Sequence, residues 1–159
     1  MLRVIREVLY FEPKHRGTDI VQALDFANRV TRRRAVTFLI SDFQASGDQK
    51  QALASLQRAI RLAQTRHDLV AMHIQDRREH ELPDVGLLAI EDAETGEMLE
   101  LSTSNPQVRA RFAELSRRNV EALRRVLNAE AVDALELETG ESYVPPLMQF
   151  FKTRERRRR

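Results

Sequence analysis

Apolar and polar residues recur along the chain with two different periods. Apolar residues at helical spacing predict amphipathic helices at residues 2–9, 20–30 and 53–63. Two largely apolar runs, Ala35 to Ser41 and Leu69 to Ile74, predict buried strands. Strand, helix and strand in this order form a right-handed parallel βαβ unit. The first half of the chain therefore predicts an α/β fold with a mainly parallel sheet and flanking helices.

The second half of the chain adds a hairpin, a long helix, a third strand and a last helix. Two short alternating runs within residues 86–102 predict an inserted β-hairpin. Asn105 and Pro106 predict the start of the long helix, because Ser104 or Asn105 can cap it and Pro106 suits the first turn. The run from Val132 predicts a third core strand, and a short helix follows the Pro-Pro pair. No repeat or linker divides residues 1–159, so we expect one domain.

Composition narrows the class of protein. Of 159 residues, 42% are hydrophobic and 31% charged, which is typical of a folded globular chain. The absence of Cys excludes disulfides and Cys-based metal sites. No apolar run could span a bilayer and no signal peptide opens the chain, so we expect a cytoplasmic protein with no membrane partner. The formal net charge of +2 does not indicate a nucleic-acid partner.

Charge is distributed unevenly. Acidic residues dominate residues 76–100, whereas the chain ends in the basic run RERRRR. A terminal basic run is typical of a solvated, disordered tail, and we expect one here. Arg32 to Arg34 are expected to close the second helix, where cations suit the helix dipole. The segment RREHELP, residues 77–83, is expected to be a salt-bridged surface loop.

Two loops carry the clearest candidate chemistry. RGTDI leads into the second helix, and ISDFQ leaves the first strand. In a parallel sheet both lie at the carboxyl edge, where α/β folds bind ligands, so Thr18 and Asp42 are expected to face one crevice. A hydroxyl and a carboxylate suit a hard cation such as Mg²⁺. The alternative, favoured on spacing alone, is that Thr18 only caps a helix and Asp42 is only a loop residue.

Several separated motifs occur in a specific order along the chain: RGTDIVQAL, FLISDFQ, the long segment that begins RHDLVAMHI, and the terminal VPPLMQFFKTRERRR. Together they resemble domain-of-unknown-function family 58. The resemblance covers essentially the whole chain and implies a von Willebrand factor A-like (Rossmann-like) fold. Such folds bind a divalent cation through an Asp-x-Ser-x-Ser loop, a Thr in a second loop and an Asp in a third. The resemblance assigns these last two roles to Thr18 and Asp42, supported by Gly17, Asp19 and Ser41.

The same resemblance implies partners. Genes of this family typically lie beside genes for MoxR-type AAA+ ATPases, which implies a non-enzymatic adaptor that works with such an ATPase on an unknown client protein, assisted by Mg²⁺ or Mn²⁺. No Asp-x-Ser-x-Ser motif occurs in this sequence, so the chain resembles the C-terminal half of the family's domain, as a fragment or a truncated gene. We expect no tight cation site within this chain alone, because two ligands offset little of the cation's dehydration.

An open strand edge is a further expectation. In the family's sheet the strand 35–41 would lie beside a strand that this sequence lacks. The strand has no Pro, internal Lys or Gly bulge to protect such an edge. We therefore expect a homo-oligomer through the strand 35–41 edge.

An enzymatic function is the alternative to the adaptor. Asp42 lies between a strand and a helix, so a phosphoryl-transfer or hydrolytic α/β enzyme would use it as nucleophile. Against this, no second acidic residue lies two positions away, and no Ser–His–Asp set is visible. His73 lies in a strand and is expected to be a hydrogen-bonded core or edge residue, not a metal ligand.

Overall fold

Helices and strands follow one another in the order that the sequence predicts. The computed structural model describes residues 2–11, 18–44, 48–91 and 98–157. In chain order the elements are α1 (Leu2–Tyr10), α2 (Ile20–Val30), β1 (Val36–Ser41), α3 (Gln49–Arg66), β2 (Asp68–Gln75), α4 (Arg77–His80), β3 (Leu87–Glu91), β4 (Met98–Ser102), α5 (Pro106–Ala129), β5 (Asp133–Glu138) and α6 (Val144–Arg157). Only the one-turn helix α4 has no counterpart in the sequence prediction.

Three parallel strands form the main sheet, in the order β1-β2-β5. The register pairs Val36 with Asp68 and Val70 with Asp133, so the strands begin at one edge of the sheet and end at the other. Strands β3 and β4 form a separate antiparallel pair, whose connecting residues 92–97 lie outside the described part. The predicted α/β class, with a mainly parallel sheet, flanking helices and a β-hairpin, is confirmed.

The apolar core lies between one face of this sheet and helices α2, α3 and α5. Its buried members are Leu24, Leu56, Ala59, Ile60, Ala63, Leu69, Ala71, Leu123, Leu127 and Val132. Removing apolar surface from water, at roughly 25 cal/mol per Å², is the main force that holds these helices on the sheet. No helix in the described ranges is both long and apolar enough to cross a membrane.

Strand β1 is partly buried on one face and exposed on the other. Leu39 packs against the core, whereas Val36, Phe38 and Ile40 on the other face are 50%, 43% and 62% exposed. The prediction of a buried strand at 35–41 is therefore wrong for that face. The exposure arises because α6 covers only part of it, through an edge-on contact between the rings of Phe38 and Phe151 at 6.3 Å. Within the described sheet, β1 pairs with β2 alone and forms an edge.

Helix α2 begins and ends by local chemistry. The Asp19 carboxylate caps it by accepting a hydrogen bond of 2.8 Å from the N–H of Gln22. The helix ends at Val30, and Thr31 already has extended φ and ψ angles that lead toward β1. The prediction that Arg32 to Arg34 close this helix is therefore wrong, because they follow it.

The C-terminal basic run is also different from the prediction. Residues 154–157 belong to α6, and residues 158 and 159 lie outside the described part. The Arg154 side chain is only 14% exposed and bonds to the carboxylates of Asp68 and Asp133, at 2.8 Å for Asp133. Arg157 adds a second pair with Asp133 at 3.1 Å. These ion pairs hold the helix end against the start of β2 and β5, so its described residues are not a disordered tail.

Candidate functional site

A cavity of about 700 Å³ lies at the carboxyl edge of the parallel sheet. Its walls come from the first residues of α2 and α3, the loop after β1, the end of β2, α4 and the middle of α5. A cavity of this size accommodates a small molecule or the side chains of a bound protein segment.

Thr18 and Asp42 both line this cavity. Thr18 directly precedes the cap of α2, and Asp42 directly follows the last residue of β1; both are exposed. Asp19 lines the cavity as well as capping the helix, so the hydroxyl of Thr18 is not the cap. Gly17, the other expected support on this side, lies outside the described residues. The two loops therefore meet where the parallel topology predicts, and their metal-binding role stays a prediction.

A tight turn holds the Asp42 carboxylate. Asp42 Oδ1 accepts a hydrogen bond from the N–H of Gln44 at 3.1 Å and lies 3.4 Å from Ser41 Oγ. Ser41 Oγ in turn accepts a hydrogen bond from the N–H of Phe43 at 3.0 Å. Phe43 has a φ of 56°, in the left-handed region that costs a non-glycine residue about 1 kcal/mol. The packing of its ring against His73, edge-on at 5.6 Å, helps to maintain this conformation.

A chain of hydrogen-bonded side chains lies behind the turn. Ser116 Oγ is 2.7 Å from His80 Nδ1, His80 Nε2 is 2.8 Å from Gln75 Oε1, and Gln75 Nε2 is 2.7 Å from His73 Nδ1. An amide oxygen only accepts and an amide nitrogen only donates, so the network assigns a hydrogen to His80 Nε2 and none to His73 Nδ1. His73 is thus a neutral imidazole that also hydrogen-bonds to the backbone of Asp42.

Burial stabilises the neutral form of His73. Its side chain is 6% exposed, and this desolvation lowers the pKa of His73, against the opposing effect of the Glu136 carboxylate. The sequence-based expectation of a buried, hydrogen-bonded strand histidine agrees with this environment. The histidine chain therefore connects α5 and α4 to the loop that presents Asp42.

Helix α4 replaces most of the surface loop expected at residues 77–83. Asp76 and Glu79 form a capping box around it, and the Asp76 carboxylate also accepts a 2.5 Å hydrogen bond from Thr139 after β5. This hydrogen bond is the largest cause that lowers the pKa of Asp76. The loop prediction is therefore wrong for residues 77–80, because a capped turn anchored to β5 brings His80 to the cavity. The expected surface ion pair is present between Arg77 and Glu81, at 3.9 Å.

The charged side chains among the described lining residues of the cavity are mainly carboxylates. Its carboxylates are those of Asp19, Asp42 and Glu79, and no Lys or Arg is among the described lining residues. The apolar part of the wall includes Leu53 and Phe112. The cavity therefore favours a cation, or a neutral donor with an apolar body, over an anion.

The residues present fit part of a metal site. Thr18 and Asp42 offer the oxygen atoms that Mg²⁺ and Mn²⁺ prefer. Within the described part of the chain, no group of three or more His, Asp or Glu side chains could hold a metal ion. Two protein ligands leave most of an octahedral shell to water or to another molecule.

Sequence reasoning predicted that Thr18 and Asp42 lie at this edge, but it did not predict the hydrogen-bonded Gln75, His80 and Ser116 that also lie here. His73 and Gln75 are two residues apart on one strand, and this shared face is a signal that sequence inspection can use. His80 and Ser116 are 36 residues apart on α4 and α5, and no local pattern connects them.

Comparisons with known proteins place these observations in a family. The family model described as "Protein of unknown function DUF58" matches residues 1–122. An uncharacterized protein of Mycobacterium avium is 30% identical over 138 residues, which cover 87% of this chain and 77% of that protein. Uncharacterized proteins of Mycobacterium bovis and Mycobacterium tuberculosis are each 30% identical over 156 residues, 98% of this chain. The chain spans about half of those two, at 46% of their length. No solved structure gives a significant match.

Proposed function

We propose that this chain, which belongs to the family described as protein of unknown function DUF58, is a non-enzymatic protein-interaction module. The observation that carries the proposal is the cavity at the carboxyl edge, which Thr18 and Asp42 both line and whose described lining includes carboxylates but no Lys or Arg. An acidic wall with hard oxygen ligands suits a cation, and the apolar wall suits a side chain of a bound protein. The resemblance to von Willebrand factor A-like domains supports the same use of this edge.

In the intact protein, Thr18 Oγ1 and Asp42 Oδ2 would hold the Mg²⁺ or Mn²⁺ that the family resemblance implies. The ion would act as a Lewis acid that binds an oxygen atom of the client protein. Asp42 Oδ1 is already used by the turn, and its bond to Gln44 fixes the direction of the carboxylate. Leu53 and Phe112 would exclude water from the client's apolar side chain.

The partners are part of the proposal. The resemblance supports a MoxR-type AAA+ ATPase in the cytoplasm and a client protein whose assembly or maturation depends on both. An adaptor needs a recognition surface but no catalytic group, which agrees with a cavity whose two histidines are engaged in a structural hydrogen-bond chain.

An enzyme that uses Asp42 as a phosphoryl acceptor is the second candidate. The position of Asp42 after a strand, in a cavity, favours it. Phosphoryl transfer typically uses a Lys or Arg in addition to Mg²⁺ to stabilise the charge on the phosphoryl oxygens, and the described lining residues provide no Lys or Arg for this. Acetyl phosphate treatment followed by mass spectrometry distinguishes the two, because a phosphorylated Asp42 would support the enzyme.

Affinity purification from the native host tests the adaptor. The wild-type chain is expected to recover a MoxR-type ATPase in the presence of Mg²⁺, and Asp42→Asn or Thr18→Ala is expected to lose most of it. Asp25→Asn is the matched control, because it removes one exposed carboxylate from α2 outside the cavity lining. Equal recovery by all four proteins would contradict the proposed site.

A further inference from the structure

The amino edge of the sheet carries a set of exposed arginines. Arg32, Arg33 and Arg34 connect α2 to β1, Arg66 is the last residue of α3, and Arg156 lies in the last turn of α6. All five are exposed, and none has a hydrogen bond or ion pair with another described residue. We call these five residues the basic row.

The topology brings the basic row together. The carbonyl of Ala35, next to Arg34, accepts a 2.8 Å hydrogen bond from the N–H of Asp68, which is two residues after Arg66. The Asp68 carboxylate binds Arg154, which holds the last turn of α6, and with it Arg156, at this same edge of the sheet. The elements that carry the row therefore come together at the edge where β1 and β2 begin, opposite the cavity.

Helix stabilisation explains only part of this set. A cation in the last turn offsets the negative end of a helix dipole, and Arg66 does this for α3. Arg32 to Arg34 lie beyond the end of α2, where the dipole effect has fallen off. The nearby carboxylates of Asp68 and Asp133 are already bonded to Arg154 and Arg157, so they neutralise little of the row's charge. Several unpaired like charges repel one another in the isolated chain.

We propose that the basic row is a docking surface for a carboxylate-rich segment of another protein. The guanidinium group matches a carboxylate in a two-point geometry, and this chain already uses it so, with Arg61 on Glu130 and Arg124 on Glu136. No Phe, Tyr or Trp is adjacent in sequence to any member of the row, and His67 beside Arg66 is buried, so the neighbouring residues do not supply the stacking platform typical of single-stranded nucleic-acid sites.

This surface is separate from the cavity, and the proposal does not depend on the function of the cavity. The eight residues of β2, at roughly 3.3 Å each, put the two edges about 25 Å apart. One partner at each edge can therefore be bound at the same time.

Fluorescence anisotropy with a labelled polyglutamate peptide tests the proposal. The triple variant R32Q/R33Q/R34Q is compared with R111Q/R117Q/R125Q, which removes the same charge from exposed positions on α5. We expect the basic-row variant to bind about tenfold more weakly than wild type at low salt, as for the loss of three exposed charge contacts. The α5 variant should stay within about twofold of wild type, and circular dichroism should show that both are folded.

Three outcomes would overturn the proposal. If both variants bind polyglutamate equally weakly, net charge alone attracts the peptide. If the basic-row variant binds the peptide as tightly as wild type, the row is not the site. Tighter binding of RNA, or of vesicles containing phosphatidylserine, than of polyglutamate at physiological salt would assign the surface to another class of partner.

Discussion

At the residue scale, Glu130 shows how one side chain joins two helices. It follows α5, and its carboxylate accepts hydrogen bonds from Gln57 at 2.7 Å and from Arg61 at 2.7 and 2.9 Å, both on α3. The hydrogen bond from Arg61, followed by that from Gln57, lowers the pKa of Glu130 to about 2. The folded state therefore stabilises the charged form of Glu130 relative to the unfolded state.

We predict that Glu130→Gln lowers the free energy of unfolding at pH 7. The variant should also make the free energy of unfolding less dependent on pH in the acidic range. Because the folded pKa is depressed, the contribution of Glu130 is fully present above the ordinary value of 4.5 and is lost as pH falls toward 2. Urea unfolding, followed by circular dichroism at several pH values in that range, should show that the free energy of unfolding changes less with pH in the variant than in wild type. Glu121→Gln, which removes an exposed pair within α5, is the control and should change little. Identical pH slopes for Glu130→Gln and wild type would contradict the prediction.

The cation ligands give a second prediction at this scale. Thr18 and Asp42 are the two protein ligands that we assign, so the isolated chain should bind Mg²⁺ or Mn²⁺ more weakly than micromolar. Isothermal titration calorimetry measures this directly. Micromolar affinity that disappears in Asp42→Asn would show that the chain contains further ligands.

The sequence predicts Thr18 and Asp42 because each lies at a signal that can be read locally, one beside a helix cap and one after an apolar run. It does not predict the hydrogen bonds among Gln75, His80 and Ser116, because these depend on how α4 and α5 pack. Local chemistry thus locates the loops of the site, and tertiary packing determines what lies behind them.

At the scale of elements, α6 depends on contacts that its own sequence does not reveal. The positions of the helices and strands could be predicted from periodicity, and the start of α5 from Asn105 and Pro106. The end of α6 could not be predicted from periodicity, because its last turn is highly charged. This turn is stabilised by Asp68 and Asp133, which are far away in sequence. The same holds for α4, which is too short to show a period.

We predict that Arg154→Ala destabilises the protein by about 2 kcal/mol. Breaking a fully buried pair costs about 3–5 kcal/mol, and partial exposure of Asp133 reduces this cost. The variant leaves two carboxylates close together without their shared cation. Chemical denaturation measures the change, and Arg156→Ala, an exposed position in the same turn, should stay within about 0.5 kcal/mol of wild type. Equal effects of the two substitutions would contradict the role of the buried pairs.

At the scale of the whole molecule, apolar surface remains uncovered on both β1 and α2. The exposed residues of the edge strand β1 are Val36, Phe38 and Ile40. Phe26 and Val30 of α2 are also exposed. Exposed apolar edges promote pairing with another chain. The exposed face could not be predicted from β1 itself, because periodicity within a strand does not show which neighbours cover it.

We predict that the chain forms a homo-oligomer through the edge of β1. Light scattering after size-exclusion chromatography should give a mass above that of a monomer, and Ile40→Lys should shift it toward the monomer, because an edge lysine opposes strand pairing. Leu99→Lys places the same charge on the exposed surface of β4 and serves as the control. A folded wild-type monomer at high micromolar concentration would contradict this prediction.

The left-handed conformation of Phe43 has a consequence for the kinetics of binding at the cavity. The turn around Phe43 is already formed in the unliganded chain, held by Ser41, Gln44 and the ring of His73. The conformational entropy of this loop, about 1 kcal/mol or more per residue, is lost during folding and not during association. A partner that reaches Asp42 therefore meets no rearrangement of this turn, so the turn itself does not slow association below the rate that diffusion and docking orientation allow.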